Sequence, residues 1–252
     1  MTPALDLAPL LITLQLTPEQ RELIRQRTGI TIAALPVESD VPVVRCRFGG
    51  VMLRVNRGVF TPSATTERLF ELVREAVAGR LRPVIVDVGT GCGAVALALA
   101  AALPSASLFA TEISDIALGC ARRNRRRLGL SNVAIRGGSL LSPLPRRLRG
   151  NVNVIAANLP YVPPGLSDVV SRTFPAGTAI GQGSDGLDLV RALATSAREF
   201  LVPDGSLVLQ LAGFQWEPFA DELRGLGYEV NIPQQPLPNA PVAGRLRWRG
   251  AV

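Results

Sequence analysis

Two short stretches carry residues whose types and spacing could do chemistry. In "AANLPYVPP", Asn158, Leu159, Pro160 and Tyr161 stand directly behind the apolar run "VNVIAA". Asn158 offers a side-chain carbonyl and Leu159 a backbone carbonyl, Pro160 stiffens the turn, and Tyr161 presents a flat face for stacking. Two acceptors aimed at one planar NH2 group would hold both of its hydrogens and turn the nitrogen lone pair towards an electrophile. That task needs positioning rather than a strong base. A loop whose asparagine caps the backbone and whose tyrosine packs is the competing reading.

The second stretch is "DVGTGCGAVALALA", in which Asp87 is followed by Gly89, Thr90, Gly91 and Gly93 and then a helix. Glycines spaced this way after a strand allow a tight turn and the close approach of a ligand to a helix N-terminus. The next strand ends at Glu112, placed to accept from the hydroxyls of a ribose. The loop fits both a nicotinamide dinucleotide fingerprint and the glycine loop of a methyltransferase; a tight turn without ligand is the third reading. Dehydrogenases usually need a proton donor such as His, Lys or a Tyr–Lys pair. This chain has no histidine, all 27 of its basic residues are arginine, and its tyrosines are Tyr161 and Tyr228, which weighs against that reading.

The same composition excludes Ser-His-Asp and Cys-His catalysis, imidazole metal sites and Schiff-base lysines. Cys46, Cys92 and Cys120 are an odd set without a C-x-x-C pair, which suits a reducing cytoplasm and gives no metal site. The apolar opening "LAPLLITLQL" is too short to span a membrane and has no basic region ahead of it. A formal charge of +7 raises a nucleic-acid partner, with arginines clustered in "ARRNRRRLG" and "PRRLRG". Few aromatics interleave them, so solvated helix faces are favoured over a nucleic-acid surface.

These residues need elements to hold them. At 252 residues the chain suits one large α/β domain with an appendage. Thr17, Pro18, Gln20 and Gly29 supply helix start and stop signals, giving a short helical appendage over residues 1–40. "VVRCRFGGVMLRVN" alternates on either side of Gly49-Gly50, a β-hairpin in which Phe48 faces Val51, Cys46 faces Leu53 and Val44 faces Val55. With the helix "ATTERLFELVREAVAGRL" it forms a second segment, 41–82. From Pro83 onward β-rich runs alternate with helical segments, predicting a mostly parallel sheet with helices on both faces over 83–252. A proline-rich loop leads to "RLRWRG", read as an edge strand.

"DVGTGCGAVALALA", "ATEIS", "NLPYVPP" and "GSDGLDLVRALATSAREFLVPDGSLVLQL" resemble the HemK/PrmC family of S-adenosylmethionine-dependent protein glutamine methyltransferases, and "RCRFGGVMLRVNRGVFTPSATTE" is similar to that family's hairpin and linker. The resemblance covers about Arg45 to Leu211. It implies a Rossmann-like class I methyltransferase fold, S-adenosylmethionine as cofactor and S-adenosylhomocysteine as product. By that resemblance Asp87, Gly89, Thr90, Gly91, Gly93, Glu112, Ile113, Ser139, Leu140 and Asn158 hold the cofactor, while Asn158, Leu159, Pro160 and Tyr161 hold the acceptor nitrogen. The family acts on the glutamine of a Gly-Gly-Gln loop in peptide-chain release factors. Leu159 stands where the family usually has proline, keeping the carbonyl but loosening the turn, and Ser139 replaces a frequent aspartate near the adenine. The expected partner is a methyl acceptor, a protein glutamine or else a small molecule enclosed by the reduced front segment. RNA or DNA amino methylation and a non-catalytic binding protein rank below these.

Overall fold

The computed structural model describes residues 42–166, 178–231 and 241–250. The expected appendage at 1–40 lies outside the described residues, as does most of the proline-rich stretch before the last strand. Strands β1 (Pro42–Phe48) and β2 (Val51–Asn56) form an antiparallel hairpin. Its register pairs Phe48 with Val51, Cys46 with Leu53, Val44 with Val55 and Arg45 with Arg54, the pairing expected from the alternation. Phe48, Val51, Leu53 and Val55 are buried on one face.

Helix α1 (Ala64–Ala76) follows, burying Leu69, Phe70, Leu72 and Val73 at helical spacing. Then the chain winds a sheet: β3 (Val84–Val88), α2 (Ala94–Ala102), β4 (Ser107–Glu112), α3 (Asp115–Leu128), β5 (Val133–Gly137), β6 (Val152–Ala157), α4 (Asp188–Ala197), β7 (Leu201–Ala212), α5 (Gly213–Gly225), β8 (Tyr228–Val230) and β9 (Pro241–Trp248). The spatial order is β5-β4-β3-β6-β7-β9-β8, parallel except for β9, which runs antiparallel to β7 and β8. "VIVDV" and "VNVIAA" read as unbroken apolar runs because both faces of these central strands are covered. One face packs with the hairpin, α1, α2 and α3, and the other with α4 and α5.

The edge assignment of "RLRWRG" needs correction. Strand β9 is inserted between β7 and β8, and the edge is the short β8, Tyr228–Val230. The arginines of this strand are accommodated one by one: Arg245 Nε donates to Ser206 Oγ at 2.9 Å, and Arg247 pairs with Asp204 at 3.0 Å. Among the described residues no helix is long and apolar enough to cross a membrane. No group of three or more acidic, histidine or cysteine side chains among them is arranged to hold a metal.

Candidate active site

The strand order reverses between β3 and β6, and ligands of such sheets sit in the crevice beyond the carboxyl ends at that point. Here the turn after β3, "GTGCG", and the turn after β6, "NLPY", face one cleft of about 560 Å³, a volume usual for a small-molecule site. The linker from β2 to α1 covers it, through Val59, Phe60, Pro62 and Ser63.

The glycine turn is built from its own backbone and two buried carboxylates. The N–H groups of Gly89 and Thr90 both donate to the Thr111 carbonyl of the neighbouring strand, at 2.9 and 3.0 Å. Asp87 Oδ2 accepts from Thr90 Oγ1 at 2.6 Å and from the Ala96 N–H at 3.1 Å, so this carboxylate ties the turn to the first turn of α2. Burial pushes its pKa up to about 6, against the pull of these two hydrogen bonds and with a further push from Glu112. Glu112 accepts from the Gly91 N–H through one oxygen, at 2.8 Å, and from the Ser114 N–H through the other, at 2.9 Å. Each oxygen keeps a lone pair, and the carboxylate lines the cleft.

Glycine is required at two positions of this turn for different reasons. Gly91, at φ +61, has nothing within 4 Å of where a Cβ would stand, so its backbone borders open cleft. At Gly89, φ +69, a Cβ would come within 2.8 Å of Leu159 Cδ2. Leu159 therefore plugs the space beneath the turn, and it is buried. Gly93 is the one sequence candidate that does not line the cleft; a Cβ there would meet Leu97 Cδ1 at 2.7 Å, so it serves the packing of α2. Ile113, Ser139 and Leu140 all border the cleft, Ile113 being 74% exposed. Leu140 sits at φ +46, a left-handed conformation that costs a leucine about 1 kcal/mol or more and fixes how the loop after β5 enters the cleft.

On the other side, Asn158, Leu159, Pro160 and Tyr161 close β6. Neither the Asn158 side chain nor the Leu159 carbonyl has a hydrogen-bond partner among the described residues. The rest of the turn is tied down. Val162 N–H donates to Ala179 O at 2.9 Å and Gly181 N–H to Val162 O at 2.8 Å. Gln215 Nε2 donates to Tyr161 O at 2.7 Å and to Asp185 O at 2.9 Å, while its Oε1 accepts from the Ala212 N–H at 3.0 Å. The turn that carries leucine in place of the family's proline is thus braced by bonds from two other segments, residues 179–181 and Gln215. Burial raises the Tyr161 pKa, with the Gln210 amide pulling the other way, so the phenol is a neutral face and not a base. Arg191 holds the 185 loop by pairing with Asp185, Asp188 and Glu222.

Sequence reasoning missed Gln215, Gln210 and the 178–182 segment, all of which support or line this site. A glutamine three residues past the end of a strand was the available signal, and it has no distinctive spacing.

Comparison with known proteins follows the same lines. Residues 52–174 match the family described as Methyltransferase small domain. A release factor glutamine methyltransferase of Moorella thermoacetica is 40% identical over 209 residues, covering 79% of this chain and 69% of that protein. One of Deinococcus radiodurans is 38% identical over 188 residues, covering 73% of this chain and 66% of that protein, so the chain spans about two thirds of these relatives. A 4-amino-L-phenylalanine/4-methylamino-L-phenylalanine methyltransferase of Streptomyces pristinaespiralis is 31% identical over 194 residues, covering 72% and 63%. In fold, the chain resembles the T. thermophilus 16S rRNA N2 G1207 methyltransferase, solved with AdoMet and guanosine, with a TM-score of 0.58 at 19% identity over 82% of this chain and 50% of that one.

Proposed function

The chain belongs to the release factor glutamine methyltransferase family, and from that premise we propose that it transfers a methyl group from S-adenosylmethionine to the side-chain nitrogen of a protein glutamine, in the Gly-Gly-Gln loop of a release factor. The single observation that carries this reading is the pair of acceptors, the Asn158 side chain and the Leu159 carbonyl, which have no partner among the described residues and stand at the cleft that the glycine turn borders.

The residues fit the cofactor. The open space at Gly91 admits a ligand against the backbone, and Glu112 has lone pairs left for two hydroxyls of a ribose. When bound, S-adenosylmethionine supplies a methyl group activated by a sulfonium. The chain's own residues supply the acceptor's geometry. Asn158 Oδ1 and Leu159 O each accept one hydrogen of the acceptor NH2, which fixes the plane of the group. An amide nitrogen is a poor nucleophile because its lone pair is delocalised, and a fixed plane is what lets that lone pair be presented in line. Positive charge grows on this nitrogen as it reacts, so both hydrogen bonds strengthen in the transition state. A cationic amide nitrogen is acidic enough to lose its proton to water, which is consistent with a chain that has no histidine and a Tyr161 held neutral.

A second reading has one observation behind it, the likeness to an enzyme named for a small aromatic amine. An aromatic NH2 is planar like an amide and would meet the same two acceptors. Incubation with methyl-labelled cofactor and either a purified release factor or a metabolite extract, followed by mass spectrometry, separates the two. Label on the glutamine of Gly-Gly-Gln is the expected result; label only among small molecules would replace the protein reading. A cytoplasmic site of action fits three cysteines that are free thiols.

A further inference from the structure

We propose that Asn124 is a positioning residue that fixes the glycine turn and the linker over the cleft relative to each other. It lies in the arginine run of α3 but is only 1% exposed, and its carboxamide is fully used. Nδ2 donates to Cys92 O at 2.9 Å, inside the glycine turn, and to Arg54 O at 2.8 Å, in β2. Oδ1 accepts from the Arg54 N–H at 3.0 Å and from Arg127 at 2.9 Å.

The hairpin is a two-stranded sheet of its own, and the N–H and C=O of Arg54 point away from β1. An unpaired strand edge normally waits for another strand. Asn124 takes that place, pairing with one residue of β2 through both a donor and an acceptor, as a neighbouring strand would. Two residues after Arg54 the strand ends and the linker begins, and Gly58, Val59, Phe60 and Pro62 border the cleft. One side chain therefore holds both the loop that the cofactor would contact and the root of the segment that covers it. A buried amide with four partners permits little shear between them.

The inference rests on the cofactor reading of the glycine turn given above, and its test keeps the two apart. Titration calorimetry with S-adenosylhomocysteine compares wild type, Asn124→Asp and Tyr228→Phe. The aspartate would set a carboxylate oxygen against the Cys92 and Arg54 carbonyls. Tyr228→Phe is the control for plain destabilisation, since it loses a buried hydroxyl bonded to Ala194 O at 2.7 Å on the opposite face of the sheet. The Kd should rise roughly tenfold or more for Asn124→Asp and stay within about twofold for Tyr228→Phe. A second measurement needs no variant: amide exchange at Arg54 in the wild-type protein should slow when S-adenosylhomocysteine is added. An Asn124→Asp protein that binds like wild type, or an Arg54 amide indifferent to the ligand, overturns the proposal. Should Asn124→Asp fail to fold, Asn124→Ser and the exchange measurement decide it. Wild-type protein that binds no S-adenosylhomocysteine sinks the cofactor reading and this inference with it.

Discussion

Replacing Gln215 by leucine keeps most of the side chain's volume and removes its polarity. One buried backbone group, the N–H of Ala212, and two half-buried ones, the carbonyls of Tyr161 and Asp185, then lose their partner. A buried polar group left unpaired costs about 1–3 kcal/mol; with the N–H in the middle of that range and the two half-buried carbonyls at or below its low end, the three lose about 3 kcal/mol together. That is a large part of the 5–15 kcal/mol by which a domain is usually stable, and it corresponds to about 6–12 °C in Tm for a chain of this size. The turn bearing Asn158 also loses one of its braces, and a misplacement of about 1 Å is enough to cost about 100-fold in rate. Urea unfolding followed by circular dichroism measures the first effect, and single-turnover methyl transfer at saturating cofactor measures the second. Stability within about 0.5 kcal/mol of wild type would refute the assignment of Gln215 as a three-way tie. Loss of stability with an unchanged single-turnover rate would refute its role in holding the turn.

If Asn158 holds the acceptor nitrogen as proposed, Asn158→Ala removes a hydrogen bond that strengthens in the transition state, so kcat should fall by about 100-fold or more while S-adenosylhomocysteine binding changes little; equal losses in both would mean that Asn158 serves the cofactor. Gly91→Ala places a methyl group in the open cleft at φ +61, and calorimetry should show weaker S-adenosylhomocysteine binding with only about 1–2 kcal/mol lost from stability. Asp87 has a native pKa of about 6 against 3.8 for the free side chain. A raised carboxyl pKa means that the folded state prefers the proton, so this contribution is fullest below about pH 4 and is lost as the pH rises through about 6, on the order of 3 kcal/mol in all. Urea midpoints between pH 4 and pH 7 should show that trend in wild type and a flatter one in Asp87→Asn, and identical trends would contradict it. Asp185, held at about 2 by its bonds to Arg191, works in the opposite sense: its contribution is present above pH 3.8 and disappears as the pH falls through about 2. It is exposed enough that the loss should be small, and Arg191→Met should abolish it in an acid titration.

The parts of the fold legible in the sequence are those set by local pattern. Alternation around Gly49-Gly50 fixed the hairpin register residue by residue, because a shift of one would have turned Phe48 and Leu53 to solvent. Apolar runs after Pro83 marked central strands, and the glycine spacing marked the crevice. Gln215 stayed hidden because its three partners lie 54, 30 and 3 residues away, and no local pattern reports such a meeting. Asn124 was read as part of a solvated arginine face, since five arginines flank it within three residues on either side. Gly93 was grouped with the cofactor residues by the resemblance; it does not line the cleft, and a Cβ there would meet Leu97. The three residues of β8 carry too little pattern to be seen, and without β8 the strand "RLRWRG" has no outer neighbour, which is why it read as an edge.

That inserted strand ties completion of the enzyme to the order in which it is made. Among the described residues β8 pairs with β9 alone, and β9 is synthesised after it. Pro241, the first residue of β9, borders the cleft as well. A growing chain can therefore assemble the glycine turn and the asparagine turn early, yet the wall they share with Pro241 closes only once β9 has left the ribosome and paired with β7, bringing β8 into the sheet with it. A chain cut short before Pro241 would lose two strands of the sheet for the absence of one.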